Sequence, residues 1–176
     1  IQDDSLQGKN LRFRFEDFNT LWKQFNYEYL VLVPQEKQDI AERILGSDVD
    51  PKVAWKKIAA QANGLNLSVA LYYLGNYRGS VEAFDRVEHQ LPTRTLWYQI
   101  EPILAYVALG DDDRVLSLTD KILNNHNRAF SELYIIRGNI FKKRGRIDAA
   151  RSEYEKAVQY NVNLLSARNA LDSLSR

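Results

Sequence analysis

The first 35 residues differ in hydrophobic pattern from the rest of the chain. Residues 11–15 alternate apolar and polar side chains, which is typical of a half-buried strand. Residues 16–25 place their apolar side chains at spacings of three, one and three, as an amphipathic helix does. Residues 29–33 form a continuous apolar run that ends at Pro34, which favours a buried strand. The pattern predicts a small β-α-β segment that needs other chain to cover it, because two strands alone are marginally stable.

Residues 36–60 follow a helical period and predict two connecting helices. The first, over residues 35–45, places Ile40 and Ile44 on one face and ends at Gly46. The second begins at Asp50 and Pro51. A carboxylate at this place can accept a hydrogen bond from the first turn, and proline suits the first helical position.

A repeat begins after residue 60. Gly75, Gly110 and Gly145 are each 35 residues apart, and the residues around them keep the same register. Five residues after the glycines stand mostly small or slender side chains, and nine residues after them stand two aromatic side chains and a threonine. In order, these are Ser80, Val115 and Ala150, then Phe84, Thr119 and Tyr154. A fixed period of this length is typical of repeat architectures, so the period carries more weight than any single motif.

Each period predicts an αα-hairpin. The first helix ends at a glycine that can adopt a positive φ, and the second helix returns with a slender residue where the two cross. Three hairpins fill residues 61–92, 96–127 and 131–162, and residues 163–174 predict an amphipathic helix that caps the stack. Pro102 falls inside the first helix of the second hairpin and predicts a kink or a late helix start.

The third hairpin resembles a tetratricopeptide repeat. The motif residues are Tyr134, Gly138, Phe141, Gly145, Ala150, Tyr154 and Ala157. The resemblance covers residues 61–174. It implies a mainly α fold in which a right-handed superhelical solenoid of three αα-hairpins and a capping helix, residues 61–176, follows the β-α-β segment and the connecting helices.

The resemblance also implies a partner-binding groove lined by the first helix of each hairpin. The family's groove-facing places correspond here to Leu65, Val69, Tyr72, Tyr73, Trp97, Ile100, Leu104, Ile135, Asn139, Lys142 and Lys143. The places from the first two hairpins are apolar or aromatic, and those from the third are largely polar and basic. Two interpretations stay open: the chain's own N-terminal helices cover this wall, or a partner segment lays an apolar face on it.

One known use of such a groove is excluded by the residues present. Tetratricopeptide domains that clamp an acidic chaperone C-terminus use Lys, Asn and Arg side chains. The corresponding places here hold Leu65, Val69, Glu101, Glu132 and Ile136. None of them donates a strong hydrogen bond to a carboxylate.

A second resemblance covers the first 35 residues. The runs DDSLQG, FEDFNTLW and YLVLVP, over residues 3–8, 15–22 and 29–34, resemble the end of a papain-like cysteine peptidase domain of the bacteriocin-leader-processing type. Bacterial relatives of that domain can carry a tetratricopeptide tail. Asp4 stands at the place of the aspartate that orients the catalytic histidine in that family. The family's nucleophilic cysteine and its histidine would lie outside this chain.

Composition narrows the function classes further. The 24 basic and 23 acidic side chains give a net charge of +1, which argues against a nucleic-acid-binding protein. The chain has no cysteine, so it holds no thiol nucleophile. No apolar run reaches the ~18 residues of a membrane span, and no pattern for a metal or cofactor is present.

Two charged clusters allow a plain and a functional interpretation. The basic run from Lys142 to Arg146 ends a helix, where cations interact favourably with the helix dipole, or it binds an acidic partner. The run of Asp111, Asp112 and Asp113 predicts a turn and a helix N-cap; a calcium loop would need a further bidentate glutamate.

Together these patterns predict a protein-binding or scaffolding module that forms the C-terminal part of a larger bacterial protein. The alternative is an accessory tail of a papain-like cysteine peptidase. The expected partner is a protein, a peptide or the chain's own N-terminal domain, and the open ends of a solenoid also allow homo-oligomers. We expect no cofactor and no enzymatic activity in this chain.

The purified chain should therefore cleave no peptide substrate, because it contains no cysteine nucleophile. The measurement is incubation with a mixed peptide library followed by mass spectrometry. Cleavage that persists after chromatographic repurification would contradict this expectation.

Overall fold

A computed structural model describes residues 14–27, 32–92, 95–125 and 127–174, and these residues are mainly helical. The described residues form ten α-helices and no strand. The helices are α1 (Phe15–Lys23), α2 (Gln38–Leu45), α3 (Pro51–Gln61), α4 (Gly64–Tyr73), α5 (Tyr77–Asp85), α6 (Glu101–Leu109), α7 (Asp112–Asn125), α8 (Ser131–Lys143), α9 (Ile147–Tyr160) and α10 (Leu165–Asp172).

The N-terminal prediction is confirmed only in its helix. The helix predicted over residues 16–25 is α1. Phe15, placed at the end of the first predicted strand, instead begins α1, where Glu16 and Asp17 put carboxylates in the first turn and Arg14 pairs with Asp17 at 2.8 Å. Residues 11–13 and 29–31 lie outside the described residues, and residues 32–33 form neither helix nor strand.

The connecting helices form where the sequence predicts them. A short 3-10 turn, Gln35–Lys37, leads into α2. The Asp50 carboxylate accepts a hydrogen bond from the Lys52 backbone N–H at 2.9 Å, which confirms the predicted cap of α3. α3 packs against α4, whereas α2 contacts mainly the turns that flank it.

The three glycine turns share one geometry. Gly75, Gly110 and Gly145 have φ values of +76°, +75° and +70°, as predicted for glycines that end a helix. In each turn the residue after the glycine donates its backbone N–H to the carbonyl four residues before the glycine. These bonds join Asn76 to Leu71, Asp111 to Tyr106 and Arg146 to Phe141 at 2.9, 3.0 and 2.9 Å. The 35-residue period therefore corresponds to a recurring helix end.

Pro102 produces a late helix start. The first helix of the second hairpin begins at Glu101, with Pro102 in its first turn, where the missing N–H costs no intrahelical bond. A short 3-10 turn, Thr95–Trp97, precedes it. The second hairpin consequently has the shorter first helix, at 9 residues against 13 for α8.

Small residues allow the paired helices to cross closely. Seven residues before and five after the turn glycine, the first hairpin holds Ser68 and Ser80, whose buried hydroxyls lie 3.1 Å apart. The third hairpin holds Gly138 and Ala150 at these places. The second holds the bulkier Ile103 and Val115, both fully buried. In keeping with this, α6 and α7 share a smaller interface than α4 with α5 or α8 with α9.

One hydrophobic core connects the hairpins. α5 and α4 pack against α6, α7 packs against α8, and α10 lies on α8 and α9. The core includes Leu65, Phe84, Ile103, Leu118, Leu133 and Ala167, drawn from six helices. This arrangement of packed helix pairs is consistent with a helical repeat, in which each hairpin buries its apolar face against its neighbours.

Gly138→Ala should destabilise the protein, although alanine is the better helix former. A Cβ at Gly138 would lie 2.3 Å from Cε1 of the buried Tyr154 ring, which must then shift. We expect the free energy of unfolding in urea to fall by about 1–2 kcal/mol, the cost of overpacking less the gain in helix propensity.

The matched control is Ser117→Ala on the exposed face of α7. This change should alter the free energy of unfolding by less than about 0.5 kcal/mol. A Gly138→Ala variant more stable than the wild type would contradict the close crossing.

Candidate functional site

The predicted groove residues divide by exposure. Leu65 and Val69 are buried in the core, so they are not available to a partner. Tyr72, Trp97, Ile100, Leu104 and Ile135 are half-buried. Tyr73, Asn139, Lys142 and Lys143 are exposed. Fewer of the predicted groove residues are therefore accessible to a partner than the sequence alone predicts.

α3 covers part of the predicted groove near Tyr73. The indole of Trp55 stacks on the Tyr73 ring with 4.4 Å between centroids and an interplanar angle of 10°. The Tyr72 ring lies edge-on to Tyr73 at 5.4 Å, and it also contacts Tyr77 at 5.7 Å. Four aromatic rings from three helices thus form one cluster, which fixes the orientation of Tyr73 while leaving it 42 % exposed.

A hydrogen bond joins this cluster to the second hairpin. The Tyr73 hydroxyl donates to Oε1 of Glu101 at 2.9 Å. Glu101 begins α6, where a carboxylate interacts favourably with the helix dipole. The first helices of hairpins one and two are therefore positioned relative to each other by a polar contact as well as by packing.

An exposed row recurs along the three hairpins. Two and three residues before each turn glycine, α4 presents Tyr72 and Tyr73, α6 presents Val107 and Ala108, and α8 presents Lys142 and Lys143. Val107 is 40 % exposed, close to the 42 % of Tyr73. The row changes from aromatic to aliphatic to basic along the chain. We call Tyr73, Val107 and Lys142 the exposed row.

The basic cluster at the end of α8 is partly neutralised from the preceding turn. Lys143 pairs with Asp112 at 3.0 Å and Arg144 pairs with Asp113 at 2.8 Å. Arg146 lies over the Phe141 ring at 4.8 Å. The exposed pairs should contribute little stability singly. Their effect is to lower the net positive charge that an acidic partner would meet.

The aspartate run forms the predicted turn and N-cap. Oδ1 of Asp111 accepts a hydrogen bond from the Arg114 backbone N–H at 3.2 Å, and α7 begins at Asp112. The carboxylates of Asp112 and Asp113 form the ion pairs with Lys143 and Arg144 described above. Across the described residues, no group of three or more His, Asp or Glu side chains is arranged to hold a metal ion.

A polar network that the sequence did not predict lies between hairpins one and two. The Tyr106 hydroxyl donates to Oδ1 of Asp85 at 2.5 Å. Arg114 pairs with both Asp85 and Glu88, and Lys121 pairs with Glu88 at 3.4 Å. Burial of the phenol and its hydrogen bond to Asp85 raise the pKa of Tyr106 to about 12. The 35-residue period does not reveal this network, because the residues of the network do not occupy equivalent places in the repeats.

A second missed feature is the docking of α1 on the hairpins. The Asn66 side-chain amide donates to the Lys23 carbonyl at 2.8 Å, and the Gln99 amide donates to the Gln24 carbonyl at 3.3 Å. A cavity of about 480 Å³ lies between the end of α1, the start of α4 and residues 87–92 and 95–99. The contacts link residues 43 and 75 apart in sequence, so no local pattern could indicate them.

Two further predictions from the sequence concern the peptidase resemblance and a membrane-spanning segment. Asp4 lies outside the described residues. None of the helices in the described part of the chain is both long and apolar enough to cross a membrane.

Tyr106→Phe should remove one phenol that loses its proton at a higher pH than an ordinary tyrosine. In the native protein the difference in absorbance at 295 nm between wild type and variant should show a midpoint near pH 12. Because the folded pKa is raised above 10, the stability from the neutral phenol is present below pH 10 and lost as the pH rises towards 12. A difference that is complete by pH 10 would contradict the buried hydrogen bond.

The comparisons with known proteins leave the function to be argued from these surfaces. No protein-family model matches the chain, and no curated protein is significantly similar to it.

Proposed function

We propose that this chain is a protein-binding module whose three hairpins form a right-handed solenoid of the tetratricopeptide type. The 35-residue period, the three turns of equal geometry and the small residues at two of the three crossings support this architecture. Hairpins of this kind stack into a continuous surface, and such surfaces commonly bind extended or helical segments of other proteins.

The exposed row is the observation that carries the proposal. Tyr73 and Val107 keep 42 % and 40 % of their surface exposed, although α4 and α6 also contribute fully buried residues such as Ala70 and Ile103 to the core. Tyr73 and Val107 lie two and three residues before their turn glycines, at the ends of α4 and α6, which pack against each other. Neighbouring exposed apolar side chains mark an interaction surface better than scattered ones do. A segment with an apolar face would cover Tyr73 and Val107 and reach Lys142 at its end.

The charges of the row favour an apolar partner over an acidic one. Glu101 already accepts the Tyr73 hydroxyl, so a carboxylate stands beside the aromatic part of the row. The cations next to Lys142 are paired with Asp112 and Asp113. An acidic tail would therefore meet like charge at one end and a neutralised cluster at the other.

The accessory-tail alternative rests on α1. This helix belongs to the segment that resembles the end of a cysteine peptidase domain, and it contacts the hairpins through the Lys23 and Gln24 carbonyls. In that case the hairpins would be docked on the peptidase domain of a larger bacterial protein and would present substrate or a regulator to it. The binding role of the exposed row is the same under both alternatives.

The proposal is tested by selecting peptide ligands for the full chain from a random display library and measuring their affinities for two variants. Val107→Gln should weaken the selected peptides by about tenfold, because burial of a valine contributes about 1.5 kcal/mol or more. The matched control is Ile147→Gln, since Ile147 is equally exposed, at 42 %, but lies at the start of α9, outside the row.

Equal affinities for the wild type and the Val107→Gln variant across all selected peptides would overturn the proposal. Sedimentation of the free chain distinguishes the homo-oligomer. If a second copy covers the row, the wild type associates and Val107→Gln shifts it towards the monomer.

A further inference from the structure

Among the described residues, the hydrogen bonds that join α1 to the hairpins lie at its C-terminal end. No residue of α1 is buried, and Phe15 and Leu21 are 74 % and 60 % exposed. Phe18 and Trp22 contact each other at 5.3 Å within the helix. A helix without buried residues opens more readily than the hairpins, whose core side chains are fully buried.

The attached end is held by carboxamide side chains from two different hairpins. The last carbonyls of a helix lack intrahelical partners. Here Asn66, on α4, donates to the Lys23 carbonyl, and Gln99, just before α6, donates to the Gln24 carbonyl. The Asn26 amide returns a hydrogen bond to the Asn66 carbonyl at 3.3 Å. These contacts recognise the backbone of a helix end and not a particular side chain.

An aromatic pair adds a contact between side chains to this docking. The Phe25 ring lies edge-on to Tyr98 with 6.4 Å between centroids, the geometry that aromatic pairs prefer. Tyr98 stays 70 % exposed in spite of it. The adjoining cavity of about 480 Å³ is lined in its described part by carboxamides, apolar side chains and the hydroxyl-bearing Thr95 and Tyr98. The described surface therefore suits a helix end that carries an aromatic residue.

The backbone after α1 is strained in the docked form. Asn26 and Tyr27 have φ values of +54° and +56°, a region that residues other than glycine rarely adopt. Asn26 is buried, at 8 % exposure, and its amide bond to Asn66 helps to hold this turn. Undocking relieves the strain, so the docked and undocked forms differ less in free energy than the contacts alone would suggest.

We propose that Asn66, Tyr98 and Gln99 form a receptor for the C-terminal end of an α-helix, and that residues 14–27 occupy it as an exchangeable internal ligand. A partner helix that ends in an aromatic residue would displace α1 and take the same hydrogen bonds. This receptor lies at the start of α4, whereas Tyr73 of the exposed row ends that helix. The inference therefore goes beyond the proposed function and does not depend on it.

The internal ligand has the advantage of a high effective concentration, since it is tethered to its receptor. A peptide added to the wild type must compete with it. In a chain whose own α1 no longer docks, the same peptide meets an empty receptor. The affinity of a peptide that copies residues 14–27 therefore reports whether the receptor exists and whether α1 occupies it.

The experiment measures binding of a fluorescein-labelled peptide of residues 14–27 to full-length chains by fluorescence anisotropy. The release variant Phe25→Ala/Asn26→Ala should bind the peptide at least tenfold more tightly than the wild type does. Adding Gln99→Ala to the release variant should weaken this binding at least threefold. The matched control, Gln159→Ala on the exposed face of α9, should leave it unchanged.

Circular dichroism checks that each variant retains its helices. Phe25→Ala alone is a second release variant, because it removes the ring contact with Tyr98 and leaves the backbone turn at Asn26 unchanged. It should bind the peptide more tightly than the wild type. The proposal is overturned if folded release variants do not bind the peptide, if the wild type binds it equally well, or if Gln99→Ala has no effect.

Discussion

The paired helices of the first and third hairpins cross at places where a larger side chain has no room. Ser68 faces Ser80 at 3.1 Å, and a Cβ at Gly138 would meet the Tyr154 ring at 2.3 Å. The second hairpin, with Ile103 and Val115 at the crossing, shows the consequence of bulk, since its helices share a smaller interface.

Stacking determines which side chains remain available for function. Each hairpin buries one face against its neighbours, so apolar residues such as Val69 and Ile103 are used in the core. The exposed row lies near the turns, where the helices end and packing stops. The docked end of α1 lies at the opposite end of α4, across the first two hairpins. The two proposed surfaces are thus consequences of the same stack, and both are neutral in their central parts.

Local chemistry explains what the sequence predicted and what it did not. The glycine turns, the Asp50 cap and the late start at Pro102 depend on a few neighbouring residues, and all were predicted correctly. The alternating pattern predicted a strand that included Phe15, but Phe15 begins α1, whose first turn carries Glu16 and Asp17. The burial of Leu65 and the capture of the Gln24 carbonyl by Gln99 depend on helix placement and on contacts far apart in sequence, which no periodicity encodes.

The central claim is that the hairpins are stabilised by one another, while α1 has no buried residue and is joined to them at its C-terminal end. Hydrogen exchange of the full chain, followed peptide by peptide with mass spectrometry, tests it most directly. We expect the buried helices α5, α7, α8 and α9 to exchange slowly and with similar protection, and α1 to exchange much faster. Protection of α1 equal to that of α8, or one hairpin exchanging independently of its neighbours, would contradict the account.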